Sequence, residues 1–562
     1  MKKLPKKRWK ILNDDSNRSL IDVLLNNRGL PAEHMDPFKL TDRMHDPYLL
    51  PDMDKAVKRI LQAVEQKEHI VIFGDYDVDG ITSTALMIYF FRKIGRPVEF
   101  ILPHREKDGY GLRPSSVEQV AKRGASLIIT VDNGITAHDA VERAVQLGID
   151  VVVTDHHLQE GSLPPAYAVV NPNRSDSQYP FKSICGVAVA FKLIYALSEK
   201  LLPEADYKQF LLNHLDLVAM GTIADVMPLR DENYALVKFG LKVLGGTRKP
   251  GLVELKRISG VKNKVVTPIS VGYFLAPRLN ASGRLEEADL SVKLLISESE
   301  NEARDLAAYL DKLNRKRQSL QNDYLTNALD SLKTTPQDIG KVIFVENEDW
   351  QAGLIGLISG QLKERFSRPA FAFTRDESGN YVGSARSIDA FHVTNALTKF
   401  SRYFLNYGGH HKAAGLTVIP DKFQEFKKEF MTYAAEVIDD DDLVPELVID
   451  SVVDIDQINL NTARIIQDVG PFGETNPEPV FVMEDVLVRD MMTMSNGKHL
   501  KLHVQKSNQI YECVWWNAGE LKDEILFGMQ AAVAFRLNIN NWQGTERLQL
   551  SLEDMRKNPS GG

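Results

Sequence analysis

Residues 69–83 read HIVIFGDYDVDGITS. Four apolar residues, Ile70 to Phe73, are followed at once by carboxylates at alternate positions, Asp75, Asp77 and Asp79. A short unbroken apolar run bounded by glycine reads as a strand buried on both faces. The stretch after it, TSTALMIYFFRKIG at 82–95, has helical spacing and closes on a glycine. Strand, acidic turn and helix in that order begin a parallel α/β sheet, because parallel neighbours need a crossover. The same turn poses an electrostatic problem. Like charges this close repel, and carboxylates at the mouth of a core lose hydration, so something cationic has to meet them.

The pattern repeats outward. PVEFILP (97–103), SLIITV (126–131) and DVVVT (150–154) read as strands, with SSVEQVAKRG (115–124) and AHDAVERAVQLG (137–148) as the helices between them. A parallel sheet covered on both faces is expected over about 69–155, followed by mostly helical chain to about 295. In open parallel sheets, ligands bind outside the carboxyl ends of the strands. There the sequence delivers Asp132 after SLIITV, Asp155, His156 and His157 after DVVVT, and Asp225 after the apolar LVAMGTIA. One such Asp reads as a turn or helix cap. Several strand ends bearing acids, one with adjacent histidines, point to a pair of divalent cations. Mixed Asp and His ligation suits Mn²⁺ or Mg²⁺. Two such metals about 3.5–4 Å apart activate water and clamp the attacking and leaving oxygens of a phosphoryl displacement.

Farther along, residues 297–333 contain neither Pro nor Gly and suit one long connecting helix. A second α/β pattern follows, with KVIFVEN (341–347), LIGLISGQLKERF (354–366), PAFAFT (369–374) and DKFQEFKKEFMTYAAEV (421–437). Asp421 is the expected N-cap of that last helix. The acidic IDDDDLVPE (438–446) reads as a linker, and six short alternating runs beyond it suit a small all-β barrel. The expected fold class is α/β: a parallel-sheet catalytic domain at 46–295 after an N-terminal segment at 1–45, and a connecting helix at 296–333. A smaller α/β domain at 334–437 and an all-β, OB-like barrel at 447–556 complete it.

Bulk properties narrow the classes. With 562 residues and 43% hydrophobic content, every domain can bury a core, yet no run of 18 apolar residues offers a membrane span. The start, MKKLPKKRWK, has no apolar segment behind it, and Cys185 and Cys513 give neither disulfide framework nor zinc spacing. A cytoplasmic protein is expected. A net charge of −8 argues against a wholly basic wrapper of nucleic acid, although a local groove suffices. Basic clusters stand in the first ten residues and at 247–251, 255–264 and 314–318, and each reads first as a solvated face.

DYDVDG, VDNG, TDHH and GTIADVMPL, in that order, resemble the four motifs of the DHH phosphoesterase superfamily, and GGHHKAAG (408–415) resembles its DHH-associated domain. PHREKDGYGL (103–112), CGVAVAFKL (185–193), APRLNASGRL (276–285) and the barrel narrow the likeness to the superfamily's single-strand-specific 5′-to-3′ DNA exonucleases. The resemblance implies Asp77, Asp79, Asp132, His156 and Asp225 as metal ligands, with Asp132 bridging. It implies His157 at the scissile phosphate and Asp75 as a further ligand or an orienting residue. Smaller members have a ligating His where this chain has Phe73, so one metal site is expected to be more open. Gly408, Gly409, His410, His411 and Lys412 are the expected substrate loop. Ser384 and Arg386, with Arg105 and Arg278, are the expected grip on a terminal 5′-phosphate. Relatives usually carry His where this chain has Gln351, which leaves that position's role open. Tyr511, Trp515, Trp516 and Trp542 are the barrel's stacking candidates, and of the adjacent tryptophans at least one is expected in the core.

The implied activity is two-metal hydrolysis of single-stranded DNA from its 5′ end, releasing mononucleotides in repair and recombination. The implied partners are single-stranded-DNA-binding protein and a RecQ-type helicase, with the enzyme a monomer away from membranes. Three rivals remain: a small-substrate phosphodiesterase or oligoribonuclease, an inorganic pyrophosphatase, and a silent scaffold. The first two have no use for the barrel, and a scaffold has no use for five intact ligands.

Overall fold

The computed structural model of the protein describes residues 7–15, 18–30, 43–103, 111–261, 265–334, 339–542 and 545–558. Two compact units divide the chain: Pro37–Asn322 with Pro471–Asn476, and Met1–Asp36 with Asp323–Gly470 and Pro477–Gly562.

The first unit is built on a five-stranded parallel sheet. From edge to edge it runs Glu99–Ile101, Ile70–Phe73, Leu127–Val131, Asp150–Thr154 and Ala168–Val170. Alternate strand residues enter opposite cores. Ile70, Ile72, Ile129 and Val152 pack with the helices Val78–Lys93, Gly186–Leu201 and Leu215–Ala224. Val71, Phe73, Ile128 and Val153 pack with Pro114–Lys122 and His138–Gln146. Burial on both faces is why these strands read as unbroken apolar runs. The register pairs Phe73 with Thr130 and Val131 with Thr154, so the acids just past each strand emerge along one edge. Behind that edge Lys192 and Glu232, both fully buried, form an ion pair at 2.6 Å, and Tyr179 donates to Glu232 at 2.5 Å. This pair ties Gly186–Leu201 to the helix Asp231–Gly246.

The second unit holds a mixed sheet in the order Phe404–Gly409, Ala413–Val418, Tyr381–Arg386, Ala370–Arg375, Ile343–Glu346, parallel only in its last pairing. Phe371, Phe373, Phe426 and Phe430 fill its core. Asp421 does not cap the following helix. Pro420 opens a single 3₁₀ turn, Pro420–Lys422, and the helix Phe423–Val437 begins after it, one residue later than expected, with Lys422 at its cap position. Arg8–Ile11 forms a strand parallel to Glu446–Ile449, and Arg28 pairs with Asp450 at 2.6 Å in a buried contact. The chain start and the end of the acidic stretch are thus parts of one folded body. The barrel runs Phe481–Met494, His499–Lys506, Gln509–Trp515, Thr545–Lys557, Gln530–Trp542, and the last strand pairs back onto the first to close it. Tyr511 and Trp515 are buried, whereas Trp516 is exposed with its ring against His499; the side chain of Trp542 lies outside the description. A helix of 35 residues, Glu300–Thr334, occupies the stretch expected to be one long helix. Among the described residues no helix is long and apolar enough to cross a membrane.

Candidate metal centre and nucleic-acid interface

The acidic turn becomes a site through what receives each carboxylate. Asp77 caps the helix Val78–Lys93, accepting from the Asp79 and Gly80 N–H groups at 2.9 and 3.2 Å. Asp79 accepts from the Gly186 and Val187 N–H groups at 2.6 and 2.8 Å, one on each oxygen, at the start of the helix Gly186–Leu201. A helix N-terminus is a natural seat for an anion. Glycine is required there, because a Cβ on residue 186 would lie 2.6 Å from Asp132 Oδ1. Asp132 leaves its strand at φ +63°, a left-handed conformation that Asp tolerates better than most residues. Beside it the Asn133 amide donates to Phe73 O and Val131 O, joining two strand ends.

His156 stands among these acids, its Nε2 3.2 Å from Asp132 Oδ1, 3.6 Å from Asp225 Oδ2 and 3.8 Å from Asp79 Oδ2. His157 is turned by Asp155, whose Oδ1 meets its Nδ1 at 2.7 Å and also accepts both histidine backbone N–H groups. The other Asp155 oxygen accepts from Ile135 N at 2.9 Å. Asn171 and Asn173, past the last strand, donate to the carbonyls of His157 and His156 at 2.9 and 2.5 Å. Potential ligand atoms fall within 4.8 Å of one another in three sets: Asp75, Asp77 and Asp132; Asp79, His156 and Asp225; Asp132, His156 and His157.

The electrostatics are those of a cluster awaiting cations. Burial, then Asp77, pushes the Asp79 carboxyl up to about 7. Burial, then Asp79 and Asp77, pushes Asp225 up to about 9, and the same causes hold Asp132 well above the carboxylate range. Burial, then the neighbouring His157, lowers His156 to about 4, leaving a neutral imidazole fit to ligate. Burial works against charge on His157 as well, but Asp155 raises it to about 9. Among the described residues, the buried Asp225 Oδ2 accepts no hydrogen bond. Crowded carboxylate oxygens with one imidazole fit hard divalent ions such as Mn²⁺ and Mg²⁺.

All five expected ligands and Asp75 therefore meet in one place, with His157 at its rim. Three contributors escaped the sequence reading: Asp155 as the group that orients His157, the Gly186–Val187 helix start, and Asn171 with Asn173. Asp155 carried a signal, being an acid directly before two histidines. The others carried none that is local. Arg105 lies outside the described residues. Arg278 is committed within its own unit, to Asp311 at 2.9 Å and the Phe274 carbonyl at 2.6 Å.

In the second unit, Gly408 pairs with Gly415 and Gly415 with Ser384, so the three form one row across the sheet and share a face. Two glycines leave the surface beside Ser384 bare. Arg386 Nη1 lies 3.2 Å from Ser384 Oγ, and Gly356 in the helix above comes so close that a Cβ would sit 3.0 Å from that hydroxyl. Gly409 has φ +145°, open only to glycine. His410, His411 and Lys412 are exposed, Lys412 paired with Asp389 and the His411 ring stacked on His392. Gln351 is exposed at the start of the helix Ala352–Phe366.

Three family profiles match this chain: the DHH family N-terminal domain at 69–222, the DHHA1 domain at 340–436 and the RecJ OB domain at 449–554. The single-stranded-DNA-specific exonuclease RecJ of Bacillus subtilis (strain 168) is 35% identical, over 98% of this chain and 71% of its own length. The chain belongs to the RecJ family. The RecJ of Escherichia coli (strain K12) is likewise 35% identical, over 90% of both chains. The crystal structure of RecJ from Thermus thermophilus in complex with Mn²⁺ matches with a TM-score of 0.81 at 28% identity, covering 98% of this chain and 80% of that one. A structure of that RecJ also exists in complex with Mg²⁺. The parallel sheet, the smaller α/β domain and the closed barrel are thus the RecJ architecture.

Proposed function

We propose that this protein is a metal-dependent exonuclease that degrades single-stranded DNA from its 5′ end and releases 5′-mononucleotides. The observation that carries this reading is the desolvated cluster of Asp79, Asp132 and Asp225 around the neutral His156, whose carboxylates repel one another until protons or metal cations neutralise them. Asp77, Asp79, Asp132, His156 and Asp225 are the residues that would hold two divalent ions, Mn²⁺ or Mg²⁺, with Asp75 completing or orienting the set. Such a pair supplies the charge that activates water and steadies the departing oxygen of a phosphodiester.

The chain's own groups do the positioning. Asp79 is pinned through both oxygens and cannot swing away. His157, its Nδ1 engaged by Asp155, keeps Nε2 as a charged donor toward a non-bridging phosphate oxygen. Ser384 and Arg386 recognise the terminal 5′-phosphate, whereas Arg278 is already engaged by Asp311 and the Phe274 carbonyl. Gly408, Gly409, His410, His411 and Lys412 follow the strand's backbone. The catalytic domain spans 46–295 after an N-terminal segment at 1–45; the connecting helix spans 296–333, the substrate domain 334–437 and the nucleic-acid-binding barrel 447–556. The enzyme works as a cytoplasmic monomer in repair and recombination. A RecQ-type helicase that opens duplex and a single-stranded-DNA-binding protein are the partners that would supply its substrate.

A 3′-labelled single-stranded oligonucleotide with Mn²⁺ tests this reading, with Asp132→Asn as control. A ladder shortening progressively in the wild type alone is expected. Immediate release of labelled mononucleotide would reverse the polarity, and an untouched oligonucleotide with either metal would remove the nuclease assignment.

A further inference from the structure

The helical segment Ser270–Leu275 runs directly into Ala276–Leu285, and Pro277 lies inside the join. Proline has no N–H for the Tyr273 carbonyl four residues back, and its ring crowds that carbonyl. The turn before it opens into a π-helix, a geometry found mostly as single turns and frequently at functional sites. This one is braced. Arg278 Nη1 donates to Phe274 O at 2.6 Å while its Nε donates to Asp311, which Arg315 holds from the other side at 2.8 Å.

The outer face of this turn is bare and aromatic. Tyr273 is 75% exposed, Ile269 56% and Phe274 46%. A Cβ on Gly272 would meet nothing within 4 Å. Because hydrogen bonds in a π-turn close at the fifth residue, positions four and five on both lie over the first, so Ile269, Tyr273 and Phe274 share a side. The far end of the same helical run reaches the metal centre: a Cβ on Gly283 would lie 2.6 Å from Tyr76 O, inside the acidic turn. Ten residues of helix separate Tyr273 from Gly283, roughly 15 Å along the axis. An open aromatic surface thus lies one short helical run away from the acidic turn, a separation of a few nucleotides.

We propose that Tyr273 and Phe274 form a stacking platform for bases of the single strand several nucleotides from the scissile bond, with Arg278 and Asp311 as positioning residues that hold its shape. The proposal rests on the nuclease reading above. Every base has a π-face, so the platform tolerates any sequence. Bases in a duplex already stack on both sides and offer no face to it, so the platform also favours single strands.

The test compares the wild type with Tyr273→Ala/Phe274→Ala on three 5′-phosphorylated substrates with Mn²⁺: a long oligothymidylate, the same length carrying abasic residues, and a dinucleotide too short to reach the platform. KM for the long oligothymidylate is expected to rise about tenfold per ring lost. Dinucleotide hydrolysis should be unchanged, and the wild type's preference for the base-bearing strand should vanish. Tyr273→Trp and Phe274→Trp should keep the wild-type KM. An unchanged KM in the double alanine variant overturns the platform, as does equal loss on the dinucleotide or failure of the tryptophan variants. A wild type that cuts no DNA at all removes the nuclease reading, and the platform falls with it.

Discussion

The two five-stranded sheets handle charge in opposite ways. The parallel sheet of the first unit ends in Asp75, Asp79, Asp132 and Asp155, each no more than 3% exposed. The mixed sheet of the second unit leaves Ser384 and Arg386 half-buried and His410, His411 and Lys412 exposed. Burial suits ligands for a small cation, because the incoming charge cancels a repulsion that low polarity has amplified. It does not suit groups that hold a polyanion. A strand that must advance after each cleavage is better held by hydrated donors, whose contacts form and break without a large desolvation cost. The difference teaches that the acidic cluster is the electrostatically strained part of the molecule and the face proposed to hold the strand the relaxed part.

The strain is easiest to expose at Asp132. Asp132→Asn keeps a side chain that tolerates φ +63° while removing one charge, and activity should fall on the order of 10³-fold. In the metal-free protein the same change should raise the thermal midpoint, since a carboxyl whose ionisation burial and its neighbours oppose is replaced by an amide that never ionises. A lowered midpoint in the presence of EDTA would contradict the picture of a strained cluster. Gly186→Ala forces a Cβ to within 2.6 Å of Asp132 Oδ1, and roughly a 10²-fold loss of rate is expected from the displaced ligand. Calorimetry should show weaker Mn²⁺ binding with the helix content intact.

Acidity sharpens the same contrast. Between pH 6.5 and 9, Asp225, raised to about 9, and His157, raised from 6.5 to about 9, hold protons in the folded protein that the unfolded chain has released. Stability of the metal-free protein therefore falls as pH rises through that window. His156, lowered to about 4, acts in the opposite sense, but its window closes at 6.5. Mn²⁺ uptake near neutral pH should release protons, and the gap in thermal midpoint between loaded and metal-free protein should widen with pH. A pH-independent gap would sink this account.

The relaxed face should respond more gently. Arg386→Ala should raise KM for a 5′-phosphorylated strand roughly tenfold, the worth of one charge-assisted hydrogen bond, and change a 5′-hydroxyl strand less. Equal effects on both strands would move the phosphate grip elsewhere. Gln351→Ala, at an exposed helix start, should leave both kinetic constants nearly unchanged.

Much of the metal centre was legible because a buried parallel strand is written as an unbroken apolar run, so the first charge after it marks the end where ligands bind. Asp75, Asp132 and His156 are readable for that reason. Asp421 misled, since a proline one residue earlier opened a separate turn and took over the entry to the helix. Contacts between distant segments left no local trace. Asp79 is seated by N–H groups 107 and 108 residues away, and backbone amides look alike in every sequence. The short segment Pro471–Asn476 belongs to the first unit, where Glu474 O accepts from Leu229 N at 2.9 Å, just past the turn that carries Asp225. Its composition resembles any loop.

The sequence by itself determined which strands end in acids, which stretches are helical and that the last segment is a barrel, because apolar periodicity and turn residues act over a few positions. Only the tertiary structure decided which acids lose their water, which imidazole stays neutral and which charged, and that the helical run carrying two exposed aromatic rings meets the acidic turn at Gly283. Those properties depend on neighbours brought together across the fold, and a proton's affinity for a group is set by everything that surrounds it.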